Sequence, residues 1–227
     1  MSSVFAPAAR AMLRGTEITQ FVSFGRESEE QIVPNMDPLD REDHPELERL
    51  FRHYDDTLSF VPNSLYTMAR RPEILRAFSE LITQIWNTGT LPKPLKPLIG
   101  IVSSIAAGCR YCQAHEAVDA RERGVADRKI AEIWNFERSD LYDEAERAAL
   151  RFARDASLVP NEVTAKHFEA LRAYWDDGEI VEMLAVIGLF GFLNRWNDTM
   201  ATPLEEEPMT FAHDRYGGNW EPGKHAG

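Results

Sequence analysis

LKPLIGIVSSIAAGCRYCQAHEAVDARERG, residues 95–124, is the stretch on which the fold turns. Its first half carries Leu95, Leu98, Ile99, Val102 and Ile105 at spacings of three and four, which predicts a helix ending near Gly108. Cys112, Ala117, Val118 and Ala120 continue in a second helix that stops at Gly124, because glycine accepts the left-handed backbone that closes a helix. The C-x-x-C therefore falls at a helix start. Cys109 and Cys112 stand at i, i+3 and His115 three further on, so all three can share one face. These are the only two cysteines of the chain. A disulfide framework needs widely separated pairs, so a lone C-x-x-C points to redox chemistry or metal binding instead.

Outward from this hairpin the same period continues. Leu47, Leu50, Phe51 and Tyr54 predict a core helix from Pro45, and Pro72-Glu73-Ile74-Leu75 has the proline and acid of a helix start. Asn87 to Pro92 reads as a loop. Downstream, a short helix is expected around Ile130 to Trp134, an amphipathic one from Asp143 to Ala156, and one capped by Thr164 through Trp175. Asp177-Gly178 reads as a turn before a long apolar segment, Glu179 to Met200, expected to be the central buried helix. No strand-like alternation of useful length occurs, so the fold class is all-α. Residues 1–44 read as an irregular N-terminal arm, 45–202 as a single helical domain, and 203–227 as an aperiodic C-terminal tail. The run Glu205-Glu206-Glu207 is expected on a solvated face, and His44, His53, His167, His213 and His225 in solvent.

The 227 residues carry a formal net charge of -12, which disfavours nucleic-acid phosphates and anionic lipid as partners. No apolar run reaches the roughly 20 residues of a membrane span, since Glu182 interrupts even Ile180 to Phe192. The N-terminus lacks a continuous apolar segment of the secretory kind, so a cytoplasmic location is expected.

A thiol ordinarily titrates near about 8.5, and unpaired amides at a helix start favour the thiolate, most of all at Cys109 if it lies nearest that end. One cysteine would attack a peroxide or disulfide and the other resolve it, with His115 shuttling the proton. Spacing leaves open which cysteine attacks. Tyr111 reads either as a packed aromatic or as an acid. Cys109, Cys112 and His115 are three ligands without a fourth, so neither a metal nor a cofactor is expected.

At these residues the chain resembles the alkylhydroperoxidase D-like, peroxidase-related proteins of the carboxymuconolactone decarboxylase family. The resemblance rests on Gly89-Thr90-Leu91-Pro92, Leu95-Lys96, Ser103-Ser104 and Gly108 to His115, and extends to Phe60 to Asn63, Arg71 to Glu73 and Asn194 to Asn197. It implies an alkylhydroperoxidase D-like helical fold with the C-x-x-C at a helix N-terminus, homo-oligomerisation as a dimer or higher, and a peroxidase or disulfide reductase activity. The expected partners are a small hydroperoxide or other small organic substrate and a thiol electron donor. The implied proton relay joins a Glu, the two Cys and a His. Here the chain departs from the pattern: the relay Glu position, twelve residues before Cys109, is Pro97, and the relay His position, four after Cys112, is Glu116. Glu116 either takes over proton transfer or, as an anion, opposes the thiolate. The candidate catalytic residues are thus Cys109, Cys112, His115, Glu116 and Tyr111. Competing functions are a cofactor-free decarboxylase, isomerase or hydrolase on a lactone or aromatic-derived acid, and a non-catalytic redox-sensing or binding protein.

Overall fold

A computed structural model describes residues 33–227, and among these the chain is helical with no strand. The arm expected over residues 1–44 therefore lies outside the described residues up to position 32. Pro45–Leu47 forms a single 3-10 turn that runs into α1 (Glu48–Leu58). There follow α2 (Asn63–Met68) and α3 (Pro72–Asn87), the latter with Pro72 at its first position, where the missing N–H would have had no helical partner. The two helices of the opening stretch are α4 (Leu95–Ala107) and α5 (Arg110–Glu122). Gly108 closes α4 at φ +81°, in the left-handed region where a Cβ is costly, and Gly124 follows α5 at φ +88°. Next come α6 (Asp127–Ala131), α7 (Glu144–Ser157), α8 (Ala165–Leu171), α9 (Asp177–Met200) and α10 (Glu206–Tyr216).

The caps explain two starts. Asp143 accepts the Glu146 N–H while Glu146 reaches back to the Asp143 N–H, and Asp176 and Glu179 repeat the arrangement. The second box moves a boundary. Asp177-Gly178 is the first turn of α9 and not a turn before it, because Asp176 has already satisfied the amide of Glu179.

The helix at the centre is α4. Every residue from Leu95 to Ser104 is buried, and α5, α7 and α9 pack around it. By contrast α9 buries one face through Ile180, Met183, Val186, Ile187 and Phe190 while Val181 is 67% exposed, so the expected central helix is a flank. Apolar composition told burial of the segment but not on how many sides it is covered. Buried Lys96 holds the two halves of the α3–α4 connection, donating to the carbonyls of Ile85 (2.7 Å) and Thr88 (2.8 Å). The Glu182 carboxylate accepts from the amides of Thr90 (2.7 Å) and Leu91 (3.2 Å) on the same loop. Gly89 at φ +87° lies so near that carboxylate that a Cβ would stand 2.0 Å from its carbon, which accounts for glycine there.

The C-terminal segment corrects the sequence reading. Residues 203–227, expected as an aperiodic tail, form α10 and two 3-10 turns, Gly217–Asn219 and Gly223–His225, and α10 packs on α5 and α6. Phe211, Tyr216 and Trp220 are its buried anchors, and three aromatics spaced by five and four residues supply the driving area that charge in the same segment disguised.

Candidate functional site

Cys109 is the N-cap residue of α5, and Cys112 lies in the first helical turn. Both thiols are free, and Cys109 is 0% exposed. The Cys112 side chain, hydrogen-bonded to Cys109, is the main influence that favours the Cys109 thiolate. His225 and the Cys112 backbone amide add to it against the opposing effect of burial, and Cys109 is brought down to about 6. Cys112 is pushed well up, first by burial and then by the charge on Cys109, with Asn197 Nδ2–H donating to its sulfur at 3.5 Å. The anion of the pair is therefore favoured on Cys109, and Cys112 is the sulfur that keeps its proton.

Cys112, but not Cys109, opens on a cavity of about 460 Å³. The cavity lies where two apolar clusters meet, with Tyr54, Leu65, Phe78 and Leu189 from one and Tyr111, Cys112 and Phe190 from the other. His115, Glu116, Asp119, Arg123 and Trp86 complete its more polar side.

Glu116 is 8% exposed, and its Oε2 has no hydrogen-bond partner. Burial first, and then the neighbouring Asp119, push its carboxyl well up, which favours the protonated acid over the carboxylate that would oppose the Cys112 thiolate. Asp119 is also raised by burial, against the Arg123 guanidinium at 2.6 Å. The room for Glu116 comes from α4. A Cβ on Gly100 would stand 2.9 Å from Glu116 Oε2 and 2.6 Å from the Phe190 ring, so no other residue fits there unchanged. Pro97, one helical turn earlier, is at the third position of α4, where its missing N–H costs nothing.

His115 is directed elsewhere than at a thiol. Its Nε2 meets Glu205 Oε2 at 2.7 Å, and its ring stacks on Tyr111 with centroids 4.3 Å apart. Glu205 Oε1 accepts from Tyr111 Oη (2.9 Å) and from the Asn63 amide (2.6 Å). Burial would raise Glu205, but the charge and hydrogen bond of His115 and the amides outweigh it and hold the carboxyl below its usual range. Burial and then Glu205 raise Tyr111 well above the ordinary phenol. Glu205 thus belongs to no solvated face; it sits at the start of α10, and only its two successors are in water. His225 is likewise corrected: it is 1% exposed, beside Cys109.

Of the five candidate residues named from the sequence, the structure brings Cys112, His115, Glu116 and Tyr111 to one cavity and leaves Cys109 out of its lining. Sequence reading missed Glu205, His225 and Asn197. For Asn197 the signal was available, as an amide on an apolar helix needs a partner. Among the described residues no group of three or more His, Cys, Asp or Glu side chains is placed to hold a metal ion.

The sequence profile of the carboxymuconolactone decarboxylase family matches residues 72–155. Among solved structures, a cysteine-to-alanine variant of the debrominase Bmp8 in complex with 2,3,4-tribromopyrrole is 38% identical. It superposes at a TM-score of 0.74 over 78% of this chain and 95% of that one. The alkylhydroperoxidase AhpD core of an uncharacterized peroxidase-related protein from Ralstonia eutropha JMP134 is 25% identical, with a TM-score of 0.71 over 79% of this chain and 95% of that chain. The uncharacterized protein YnjA of Escherichia coli (strain K12) is 27% identical over 161 residues, 68% of this chain and 83% of YnjA. With the helical fold and the thiol pair already in view, these likenesses place the chain in the carboxymuconolactone decarboxylase family, among its alkylhydroperoxidase D-like members.

Proposed function

We propose that this chain is a thiol-dependent oxidoreductase that reduces a small organic substrate at the expense of the Cys109–Cys112 dithiol. The observation that carries this reading is the division between the two sulfurs: Cys112 lines the cavity, while the anion is most stable on Cys109 directly behind it. Transfer of the Cys112 proton to Cys109 puts the charge on Cys112 for attack. With a hydroperoxide, the Cys112 thiolate takes the outer oxygen and breaks the O–O bond, and the leaving alkoxide takes a proton from Glu116. Cys109 then attacks the resulting sulfenic acid, forming the disulfide and releasing water. The sum is one alcohol, one water and one disulfide per hydroperoxide, and an external dithiol must return the two electrons.

A second substrate class is favoured by the 38% identical debrominase and by the aromatic wall of Trp86, Tyr54, Phe78 and Phe190. Thiolate attack on the halogen of an aryl bromide leaves the electron pair on carbon, where a proton completes the C–H bond. Cys109 then displaces bromide from Cys112. Here too one disulfide forms per substrate.

The test is stoichiometry. Reduced protein, held without oxygen, is mixed with substoichiometric cumene hydroperoxide or a brominated pyrrole, and intact mass after alkylation counts the thiols. The reading expects two thiols lost and one intramolecular disulfide for each alcohol or bromide formed. Product without thiol loss would overturn it, as would thiols that stay fully alkylatable after oxidant.

Glu116 supplies a sharper prediction. Glutamine keeps the shape and the hydrogen-bond donors but has no proton to give, so Glu116→Gln lowers turnover by about 10²–10⁴-fold. In the native chain turnover rises with pH through about 6, as the dithiol loses its first proton, and falls again where Glu116 ionises. The variant keeps the rising limb and loses the falling one. A variant faster than the native chain would instead mean that Glu116 only hinders the thiolate.

A further inference from the structure

The buried imidazole behind Cys109 has a role that the reaction scheme above leaves unassigned. His225 comes from the 3-10 turn Gly223–His225, which packs on α5. Its Nδ1 lies 2.8 Å from the Thr202 carbonyl. A carbonyl oxygen only accepts, so Nδ1 carries the hydrogen and Nε2 of the neutral ring is a bare acceptor. That Nε2 has no hydrogen-bond partner at a residue 1% exposed, and a bare buried acceptor costs free energy unless something is donated to it. The His225 ring lies 5.9 Å from that of Tyr111 in the first turn of α5, the helix that Cys109 caps, and Nε2 stands 3.8 Å from Asp198 Oδ1; the imidazole favours the Cys109 thiolate.

The turn is pinned where it stands. Leu204 N–H donates to the His225 carbonyl (2.9 Å), and Lys224 Nζ bonds Asp198 Oδ2 (3.0 Å) at the end of α9. The Thr202 carbonyl is fixed in turn, since the Thr202 amide donates to Asn197 (3.1 Å) across the left-handed residue Ala201. The Thr202 carbonyl and the Asp198 carboxyl thus flank the ring on its two nitrogen sides.

Resting on the dithiol reading, we infer that His225 takes the proton of the Cys109 thiol, so that the segment 203–227 supplies half of the site. The S–H bond of Cys109 breaks, the pair stays on sulfur, and an N–H bond forms at Nε2 while Nδ1–H remains on Thr202. The proton is given up when Cys109 is consumed in the disulfide. The same segment supplies Glu205 to His115, and both contributions lie outside residues 72–155. The ionisable groups around the Cys109–His225 pair are Cys112, Glu116 and Tyr111 on α5, Asp198 on α9, Glu205 before α10 and Lys224 in the turn itself.

The experiment uses the full chain and needs no substrate. Ultraviolet thiolate absorbance is titrated in the native protein, in His225→Gln, in His225→Phe and in Lys224→Ala, with circular dichroism and the thermal midpoint to establish folding. In either His225 variant the thiolate midpoint shifts to higher pH than in the native chain, as Cys109 keeps the hydrogen bond of Cys112 and loses the imidazole. Lys224→Ala, which loosens the turn but keeps the ring, leaves the titration in place. With substrate, kcat falls in the His225 variants and KM does not. A folded His225 variant with the native titration overturns the inference, as does an equal shift in Lys224→Ala, which would make docking of the segment and not the imidazole responsible. Should the native chain form no disulfide with either substrate class while the titration behaves as stated, the substrate reading fails and the role of His225 stands.

Discussion

Cys112→Ser abolishes substrate reduction, by roughly 10⁴-fold or more, whereas Cys109→Ser permits a single turnover and then stops. The difference follows from the position of the two sulfurs. Cys112 is the thiol that lines the cavity, and a serine hydroxyl there neither ionises near neutral pH nor accepts oxygen or halogen from a substrate. In Cys109→Ser the attacking sulfur is kept. The variant also removes the neighbouring charge that raises Cys112, so its thiolate forms at lower pH than in the native chain. What is lost is resolution: the first hydroperoxide leaves Cys112 as a sulfenic acid with no thiolate behind it. Intact mass would show one added oxygen, and a sulfenic-acid trap would retain it. Repeated turnover by Cys109→Ser without added thiol, or single turnover by Cys112→Ser, would exchange the two roles.

Trp220→Ala unfolds the site from the other side and lowers stability by about 3–5 kcal/mol, the range for removing a fully buried large aromatic. Trp220 is 0% exposed, its Nε1–H donates to Gln113 Oε1 at 3.1 Å, and its ring lies 6.2 Å from that of Tyr216. Gln113 Nε2 donates in turn to the Ser104 carbonyl (3.2 Å), so this tryptophan ties the C-terminal segment to the α4–α5 junction that carries the thiols. For a chain of this size each kcal/mol lowers the midpoint by about 2–4 °C, so the loss is read directly in a melting curve. The variant should also lose Cys109 acidity before global unfolding, because detaching the segment removes His225. A melting curve unchanged from native would show that α10 and the turns after it contribute nothing to the fold.

The junction of α4 and α5 was legible from residues 95–124 because its signals are local. Helical period, a glycine that tolerates positive φ at position 108 and a thiol spacing of three each act within one or two turns, whatever the rest of the chain does. The same holds for Pro72 at the start of α3 and the acid beside it. Boundaries moved where a side chain outcompeted composition, as when Asp176 drew Asp177 and Gly178 into α9. The family resemblance carried the fold class but set its relay acid at Pro97, which has no proton to give; the carboxyl that lines the cavity is Glu116, on the next helix.

By itself the sequence determined that segments between Pro45 and Met200 are helical and that the thiol pair opens the helix after Gly108. Only the tertiary structure decided that burial raises the Glu116 carboxyl, that Glu205 meets His115 and that His225 packs against the start of α5. Glu205 and His225 lie in a segment whose charge and glycine content read as solvent-facing, and they are drawn in by Phe211, Tyr216 and Trp220 packing against helices about a hundred residues earlier. A carboxyl or imidazole has its proton affinity set by the water it loses and the charges it gains, and both are fixed by groups distant in sequence. Local pattern encodes backbone geometry, whereas acidity belongs to the assembled interior.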